Sequence, residues 1–205
     1  MIKVRRLGHA TISTPDMEGQ VEYYSRVLGL RLAERSKDRA MLVSKQGFEA
    51  IELVKGEAYQ PKRLSFQISP GSDLNDVVKA LQKLRVKSEK RSGISLGMAE
   101  AVTLNDPNGI PIDLYAEYKF YEQAQPAYFN ILQLGHAAYH VRDLQQVVNF
   151  YSEVLGFRVS DWRGEFFVFM RCNTDHHTLN FVIDENPRCT TSHSSARLVG
   201  DQQDR

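Results

Sequence analysis

Two stretches of this chain repeat one another without a gap, and they constrain the fold more than any other feature. The stretches are residues 7–31 and 134–158, which lie well over a hundred residues apart. That separation indicates duplicated domains, because the repeats of a solenoid recur at much shorter intervals. The residues that both copies share are, in first-copy numbering, Leu7, Gly8, His9, Ala10, Asp16, Val21, Tyr24, Ser25, Val27, Leu28, Gly29 and Arg31.

Each copy predicts a strand followed by a helix. In the first copy the strand is 6–14, Asp16 caps the helix, and Gly29 closes it. Short β-like runs then continue to Val54, so the first stretch predicts one βαβββ unit. The second copy predicts a third unit of the same kind, with its helix beginning at Asp143.

A second unit is predicted between the two copies. Its first strand is 63–69 and its helix begins at Asp73, while the charge run from Lys83 to Arg91 is interpreted as the solvated end of this helix. The segment Asp106-Pro107-Asn108-Gly109 predicts a hairpin, because Pro presets φ and Asn-Gly accepts positive φ.

Three units are therefore predicted, and no fourth follows. The predicted organisation is an N-terminal domain (1–118), a linker (119–130), the first half of a C-terminal domain (131–188) and a tail (189–205). The tail has no hydrophobic periodicity and little to bury, so no regular structure is expected there.

Composition excludes several classes of function. The formal net charge is +1 at pH 7, which disfavours nucleic-acid or anionic-membrane partners. No signal peptide and no apolar segment of membrane-spanning length is found. The two cysteines build no disulfide framework. These features predict a cytoplasmic protein.

Three motifs carry a resemblance to a known superfamily. They are Leu134-Gly135-His136, the run 150–158, and the stretch 171–179 with its His176-His177 pair. The chain resembles the vicinal oxygen chelate superfamily of glyoxalases, bleomycin resistance proteins and extradiol dioxygenases. Within it, the chain resembles the type I extradiol ring-cleavage dioxygenases of the catechol 2,3-dioxygenase kind. The resemblance implies an α+β fold of tandem βαβββ units forming open barrels of mixed sheet, with three of four units present.

The resemblance also implies a function and a site. The implied reaction is ring cleavage of small catecholic aromatic diols in aromatic degradation, with non-haem Fe(II) (or Mn(II)) and O2 as co-substrate, in a homo-oligomer. His136 matches a metal ligand of the two-His-one-carboxylate triad, which leaves coordination positions open for substrate and O2. His177 matches the catalytic acid/base, and His176 is its catalytic neighbour.

Other histidines are ambiguous. His193 lies near the expected second-ligand position, but its surroundings favour a solvated tail residue. In the N-terminal domain His9, Ser65 and Asp113 fall at the ligand positions, which makes a weak site, and His9 is interpreted as a core residue. His140 is either a substrate-side residue or a plain polar position.

Simple packing explains several other residues. Cys172 is predicted to be a small buried side chain. Tyr23-Tyr24 and Phe150-Tyr151 are interpreted as helix core.

Two alternatives compete with the dioxygenase. One is a non-catalytic binding protein of the same fold, for which the His176-His177 pair has no use. The other is a glyoxalase-type isomerase, which requires a glutamate-rich metal set, and glutamate is missing from the relevant strand positions of the N-terminal units. Because the second His and the Glu of the triad belong to the fourth unit, weak metal binding and little or no ring cleavage are expected from this chain.

The tail generates a prediction about the gene. Residues 188–195 can be encoded so that one inserted C makes the frame read Arg-Leu-His-His-Ile-Ala-Phe-Glu, a strand typical of the family's second ligand. We expect resequencing of codons 186–196 to show that one missing base separates the tail from this frame. Confirmed codons that cannot be shifted into the motif would contradict the prediction.

Overall fold

The computed structural model describes residues 2–121, 131–183 and 197–199. Within them three units of the same βαβββ order follow one another. Unit 1 contains β1 (Val4–Thr14), α1 (Met17–Arg26), β2 (Arg31–Arg35), β3 (Arg39–Val43) and β4 (Glu49–Lys55). Unit 2 contains β5 (Gln60–Ile68), α2 (Leu74–Lys83), β6 (Ser88–Ser95), β7 (Met98–Asn105) and β8 (Pro111–Tyr115). Unit 3 contains β9 (His136–Val141), α3 (Leu144–Glu153), β10 (Arg158–Arg163), β11 (Phe167–Arg171) and β12 (Leu179–Ile183), and a short strand β13 (Arg197–Val199) follows it.

Units 1 and 2 form one curled eight-stranded sheet of order β2-β3-β4-β1-β5-β8-β7-β6. Inside each unit the first strand pairs in parallel with the last one, β1 with β4 and β5 with β8. The two first strands, β1 and β5, pair antiparallel and join the units. The sheet is therefore mixed, and the predicted α+β architecture of open βαβββ barrels is confirmed.

Unit 3 repeats this arrangement in a second sheet of order β10-β11-β12-β9-β13. Strand β13 pairs antiparallel with β9, with Val199 opposite His136. It lies where β5 lies in the first sheet, beside the first strand of the preceding unit. The expectation that the tail has no regular structure is thus wrong for residues 197–199, while His193 lies outside the described residues.

Helix caps follow the sequence signals. The Asp16 carboxylate accepts a hydrogen bond of 2.9 Å from the Gly19 N–H, and Asp143 accepts one of 2.9 Å from the Gln146 N–H. Gly29 has a φ of 71° immediately after the first helix, a conformation in which an L side chain is strained. One interpretation fails: the charge run past Lys83 does not prolong the helix end, since β6 begins at Ser88.

Units 2 and 3 pack together through aromatic and polar contacts. The Phe66 and Phe157 rings meet edge to face with centroids 5.7 Å apart. The Tyr151 hydroxyl lies 3.3 Å from Asp106 Oδ2 in the β7–β8 hairpin, and both groups are buried. Burial raises the pKa of Asp106 and that of Tyr151. The state in which both side chains are ionised is therefore the least stable one.

This packing explains why the two repeated helices differ in burial. Tyr151 in α3 is fully buried, and Val154 directly after α3 is 6% exposed. In unit 1 the equivalent Tyr24 is half-buried and Val27 is 49% exposed, while Tyr23, the equivalent of half-buried Phe150, is 48% exposed. The interpretation of Tyr23 as helix core is therefore wrong, because among the described residues no other unit covers α1 as unit 2 covers α3.

No helix among residues 2–121 and 131–183 has the length and apolarity that crossing a bilayer requires.

The repeated helices offer a matched pair of substitutions. We expect V154N to lower the free energy of unfolding on the order of 3 kcal/mol, because an apolar contact is lost and an amide is buried without a partner. The equivalent V27N should change it by less than about 0.5 kcal/mol, as exposed substitutions usually do. Urea unfolding followed by circular dichroism measures both. Equal losses in the two variants would contradict the described packing of α3 on unit 2.

Candidate functional site

The sheet of unit 3 has one face against α3 and one open face. Along β9, burial alternates: Ala137, Tyr139 and Val141 are buried, while His136 is half-buried and His140 is exposed. Alternate residues of a strand point to opposite faces, so His136 and His140 share the open face. We define the open face by residues that the strand register places on it, namely His136, Ala138, His140, Phe167, Phe169 and Asn180.

The three predicted site histidines come together at one end of this face. The rings of His136 and His177 lie with centroids 4.4 Å apart and planes inclined by 53°. His176 Nδ1 lies 3.0 Å from His177 Nδ1, within hydrogen-bond distance. His176 is exposed and His177 is half-buried, so a ligand on the open face reaches both side chains.

A compact turn between β11 and β12 positions the histidine pair. The Thr178 N–H donates to the Met170 carbonyl at 2.8 Å, and the Asp175 N–H donates to Asn173 Oδ1 at 2.9 Å. Cys172 Sγ lies 3.3 Å from Thr178 Oγ1, and burial raises the pKa of this thiol to about 11. Cys172 is half-buried and uncharged near neutral pH, in line with the prediction of a small packed side chain.

Two phenylalanines form an aromatic wall beside the histidines. The ring of Phe169 lies 5.0 Å from that of His177 and 5.5 Å from that of His176, edge to face in both contacts. Phe167 packs edge to face on Phe169 at 4.4 Å. Both phenylalanines are half-buried. The site residues predicted from the sequence did not include them, although their alternation along β11 placed them on one face.

The described residues do not complete a metal site in unit 3. His136 provides one nitrogen donor, but no group of three or more His, Cys, Asp or Glu that could hold an ion occurs in the described ranges. Residues 2–121 and 131–183 thus provide His136 alone, one third of a two-His-one-carboxylate set.

In the N-terminal sheet, the corresponding histidine is enclosed. His9 is fully buried, and its Nε2 lies 3.2 Å from Ser65 Oγ and 3.0 Å from Ser95 Oγ. Burial, aided by the nearby charges of Arg6 and Arg63, lowers the pKa of His9 to about 3. His9 is therefore neutral at pH 7, so its 3.9 Å approach to Glu52 is not an ion pair. These contacts are those of a core histidine.

Acidic residues of the N-terminal barrel have structural partners too. Asp113 accepts hydrogen bonds from Arg63 at 3.0 Å and from Thr103 at 2.7 Å. Glu49 pairs with Arg6 and accepts a hydrogen bond from the Tyr115 hydroxyl.

Two glutamates lie away from the candidate ligand positions. Glu49 and Glu52 are on β4 and are fully buried. Glu52 Oε1 accepts a 3.0 Å hydrogen bond from the Leu96 N–H, at the turn between β6 and β7. The turn thereby closes the barrel over His9 and Glu52.

A family model described as the Glyoxalase/Bleomycin resistance protein/Dioxygenase superfamily matches residues 6–114 and 133–197. The chain belongs to this superfamily. The matched ranges cover the two sheets described above, and they break at the segment that separates them.

Within this superfamily, the chain is similar to several dioxygenases. The chain is 23% identical to the "Iron-dependent extradiol dioxygenase" of Rhodococcus jostii (strain RHA1), covering 91% of this chain and 70% of that protein. It is 26% identical to "2,2',3-trihydroxybiphenyl dioxygenase" of Sphingomonas paucimobilis, covering 87% and 66%. A solved structure of homoprotocatechuate 2,3-dioxygenase from Brevibacterium fuscum, in an anaerobic complex with 3,4-dihydroxyphenylacetate, matches with a TM-score of 0.80 at 22% identity. That match covers 91% of this chain and 62% of the other.

These matches show which class of enzyme the relatives belong to. The curated relatives are extradiol dioxygenases, a metal-dependent group of oxidoreductases that act on aromatic diols. The chain spans about two thirds of the length of these relatives. The similarity alone therefore does not assign the activity of the whole relatives to this chain.

Burial of neutral His9 generates a prediction about acid stability. The unfolded chain protonates this residue below pH 6.5, whereas the folded protein resists until about pH 3. Stability is therefore fully present above pH 6.5 and declines as the pH falls, by up to about 1.4 kcal/mol per pH unit. We expect H9Q to lose this decline, so that its unfolding free energy falls less steeply between pH 6.5 and pH 4.

Urea unfolding at pH 7, 6, 5 and 4 measures the slope. Glu49 and Glu52, whose pKa values burial raises, remain in both proteins, so their opposite contribution cancels in the comparison. Parallel profiles of H9Q and the wild type would contradict the assignment.

Proposed function

We propose that the open face of unit 3 binds a small aromatic diol, and that the chain is an extradiol ring-cleavage dioxygenase of aromatic degradation with reduced or no activity. The observation that carries the proposal is the close, tilted contact of the His136 and His177 rings beside the Phe169 ring. A flat aromatic ligand packs favourably on such a wall, and imidazoles beside it can exchange protons with its hydroxyl groups near neutral pH. The dioxygenase relatives support the same reaction class.

We assign the three histidines separate roles. His136 is the metal ligand, for which Fe(II) is the proposed ion, Mn(II) is the alternative, and O2 is the co-substrate. His177 is the catalytic acid/base that holds or moves a proton of a diol hydroxyl. His176 acts through its Nδ1 contact with His177 Nδ1: only one of these two atoms carries the shared proton, which orients both rings.

Bound iron would provide the positions at which diol and O2 meet, as the two-His-one-carboxylate set does. The described residues contribute His136 alone to that set. Fe(II) should therefore bind weakly, and diol binding should persist where ring cleavage does not.

A non-catalytic binding protein of the same fold is the alternative function. It uses the same cleft without a metal, and it needs no acid/base histidine. The curated relatives favour the dioxygenase. The cytoplasmic location and the homo-oligomeric state stay predictions from the sequence.

The diol-binding half of the proposal is tested by calorimetry without any metal. We expect catechol to bind the chain, and H177A to weaken binding by tenfold or more, which corresponds to about 1.4 kcal/mol or above. Y59A removes an exposed aromatic side chain outside unit 3 and should leave the affinity unchanged. Equal effects of H177A and Y59A, or no binding of catechol, would overturn the proposed site.

The catalytic half is tested by an anaerobic Fe(II) titration followed by catechol and air. We expect weak iron binding and little or none of the yellow ring-fission product. Tight one-to-one iron binding with rapid turnover would contradict the expected loss of activity, though not the assignment of the site. Absence of a yellow product together with catechol binding that H177A does not affect would favour the non-catalytic alternative.

A further inference from the structure

Asn180 is a buried polar residue on the open face that the proposed function does not use. It lies on β12, opposite Ala138 of β9 and opposite Phe169 of β11. The residue is only 6% exposed. Its side-chain Oδ1 is buried and has no hydrogen-bond partner among the described residues.

A buried acceptor without a hydrogen-bond partner destabilises the folded protein. Leaving a buried donor or acceptor unsatisfied costs about 1–3 kcal/mol, and native proteins leave few such groups. Neither flanking side chain can satisfy Oδ1, because Ala138 and Phe169 have no donor. The missing donor must therefore come from outside these strands.

The internal repeat shows what satisfies the same position in unit 1. Strand register pairs Thr11 with Glu52 in unit 1, and Ala138 with Asn180 in unit 3. Glu52 accepts from the Leu96 N–H at 3.0 Å and from Thr11 Oγ1 at 3.2 Å, so the protein itself closes that position. Ala138 provides no hydroxyl where Thr11 does. Among the described residues, no hydrogen bond from another unit to Asn180 Oδ1 corresponds to that of the Leu96 N–H.

The distance between Asn180 and His136 is comparable to the length of a small aromatic diol. Diagonal neighbours across paired strands have Cα atoms roughly 7–8 Å apart, and Asn180 stands in this relation to His136. A benzene ring with two hydroxyl groups spans such a gap, with its plane against Phe169. A ligand hydroxyl is a donor of the kind that Oδ1 requires.

We infer that Asn180 forms a hydrogen-bonding subsite on the open face, in which its side-chain carbonyl accepts a hydrogen bond from a hydroxyl group of the bound aromatic ligand. The diol as ligand rests on the proposed function, whereas the need for a donor rests on the burial of Asn180. The subsite makes Asn180 a specificity-determining residue: ligands with a free phenolic hydroxyl bind, and their O-methylated analogues do not.

The test combines stability and binding in the variant N180L, which replaces the amide by an apolar group of similar size. In the ligand-free protein we expect the melting temperature to stay or to rise by up to about 4 °C, because an unsatisfied group has been removed. We expect catechol affinity to fall about tenfold by calorimetry, as loss of one hydrogen bond at a desolvated site predicts. Catechol should bind the wild type at least tenfold more tightly than 1,2-dimethoxybenzene, and N180L should lose most of that preference.

A structural asparagine nearby gives the matched control. Asn173 donates to Asp175 Oδ2 at 2.9 Å and accepts from the Asp175 N–H, so N173L should lower the melting temperature. A comparable loss in N180L would show that its amide is structural and would overturn the inference. Unchanged catechol affinity or an unchanged preference over 1,2-dimethoxybenzene in N180L would overturn it as well, while the proposed function would stand. No catechol binding by the wild type would overturn both.

Discussion

The antiparallel pairing of β1 with β5 is the contact on which the rest of the structure depends. Each βαβββ unit has its first strand at the edge of its own four-stranded sheet, with only one neighbour inside the unit. An edge strand leaves a row of backbone donors and acceptors unpaired, and pairing two first strands satisfies both rows at once. The same pairing places the inward residues of two units opposite one another, as His9 lies opposite Ser65. A site at this seam is therefore built from two units.

The two sheets use this seam in different ways. In the N-terminal sheet the space beside these strands is filled by protein, since Ser65 and Ser95 lie within hydrogen-bond distance of His9 Nε2 and the Leu96 N–H donates to Glu52. These protein groups enclose His9, which is neutral and buried, and they close the barrel. In unit 3 the equivalent positions hold His136 and Asn180, and the face beside them carries His177 and Phe169. The first sheet thus encloses its polar groups, whereas in the second sheet His136 and His177 lie on the open face that we propose as the ligand site.

Much of the fold was predictable from the sequence because its signals are local. Helix caps at Asp16 and Asp143, the glycines after α1 and α3 and the hairpin at Asp106 all act within a few residues. The predictions failed where contacts with a distant segment determine whether a side chain is buried. Tyr23 has the helical spacing of a core residue, but it is exposed because no neighbouring unit covers α1 in the described structure.

The sequence by itself determined the repeat, the βαβββ order and the superfamily, and it singled out the three histidines of the proposed site, since each follows from residue identity and spacing along the chain. Only the tertiary structure decided which histidine is enclosed and which is accessible, that Phe169 forms the wall beside His177, and that Glu52 has partners where Asn180 has none. These properties depend on strand register and on which unit covers which face. Both are set by contacts between residues far apart in sequence, which local patterns do not specify.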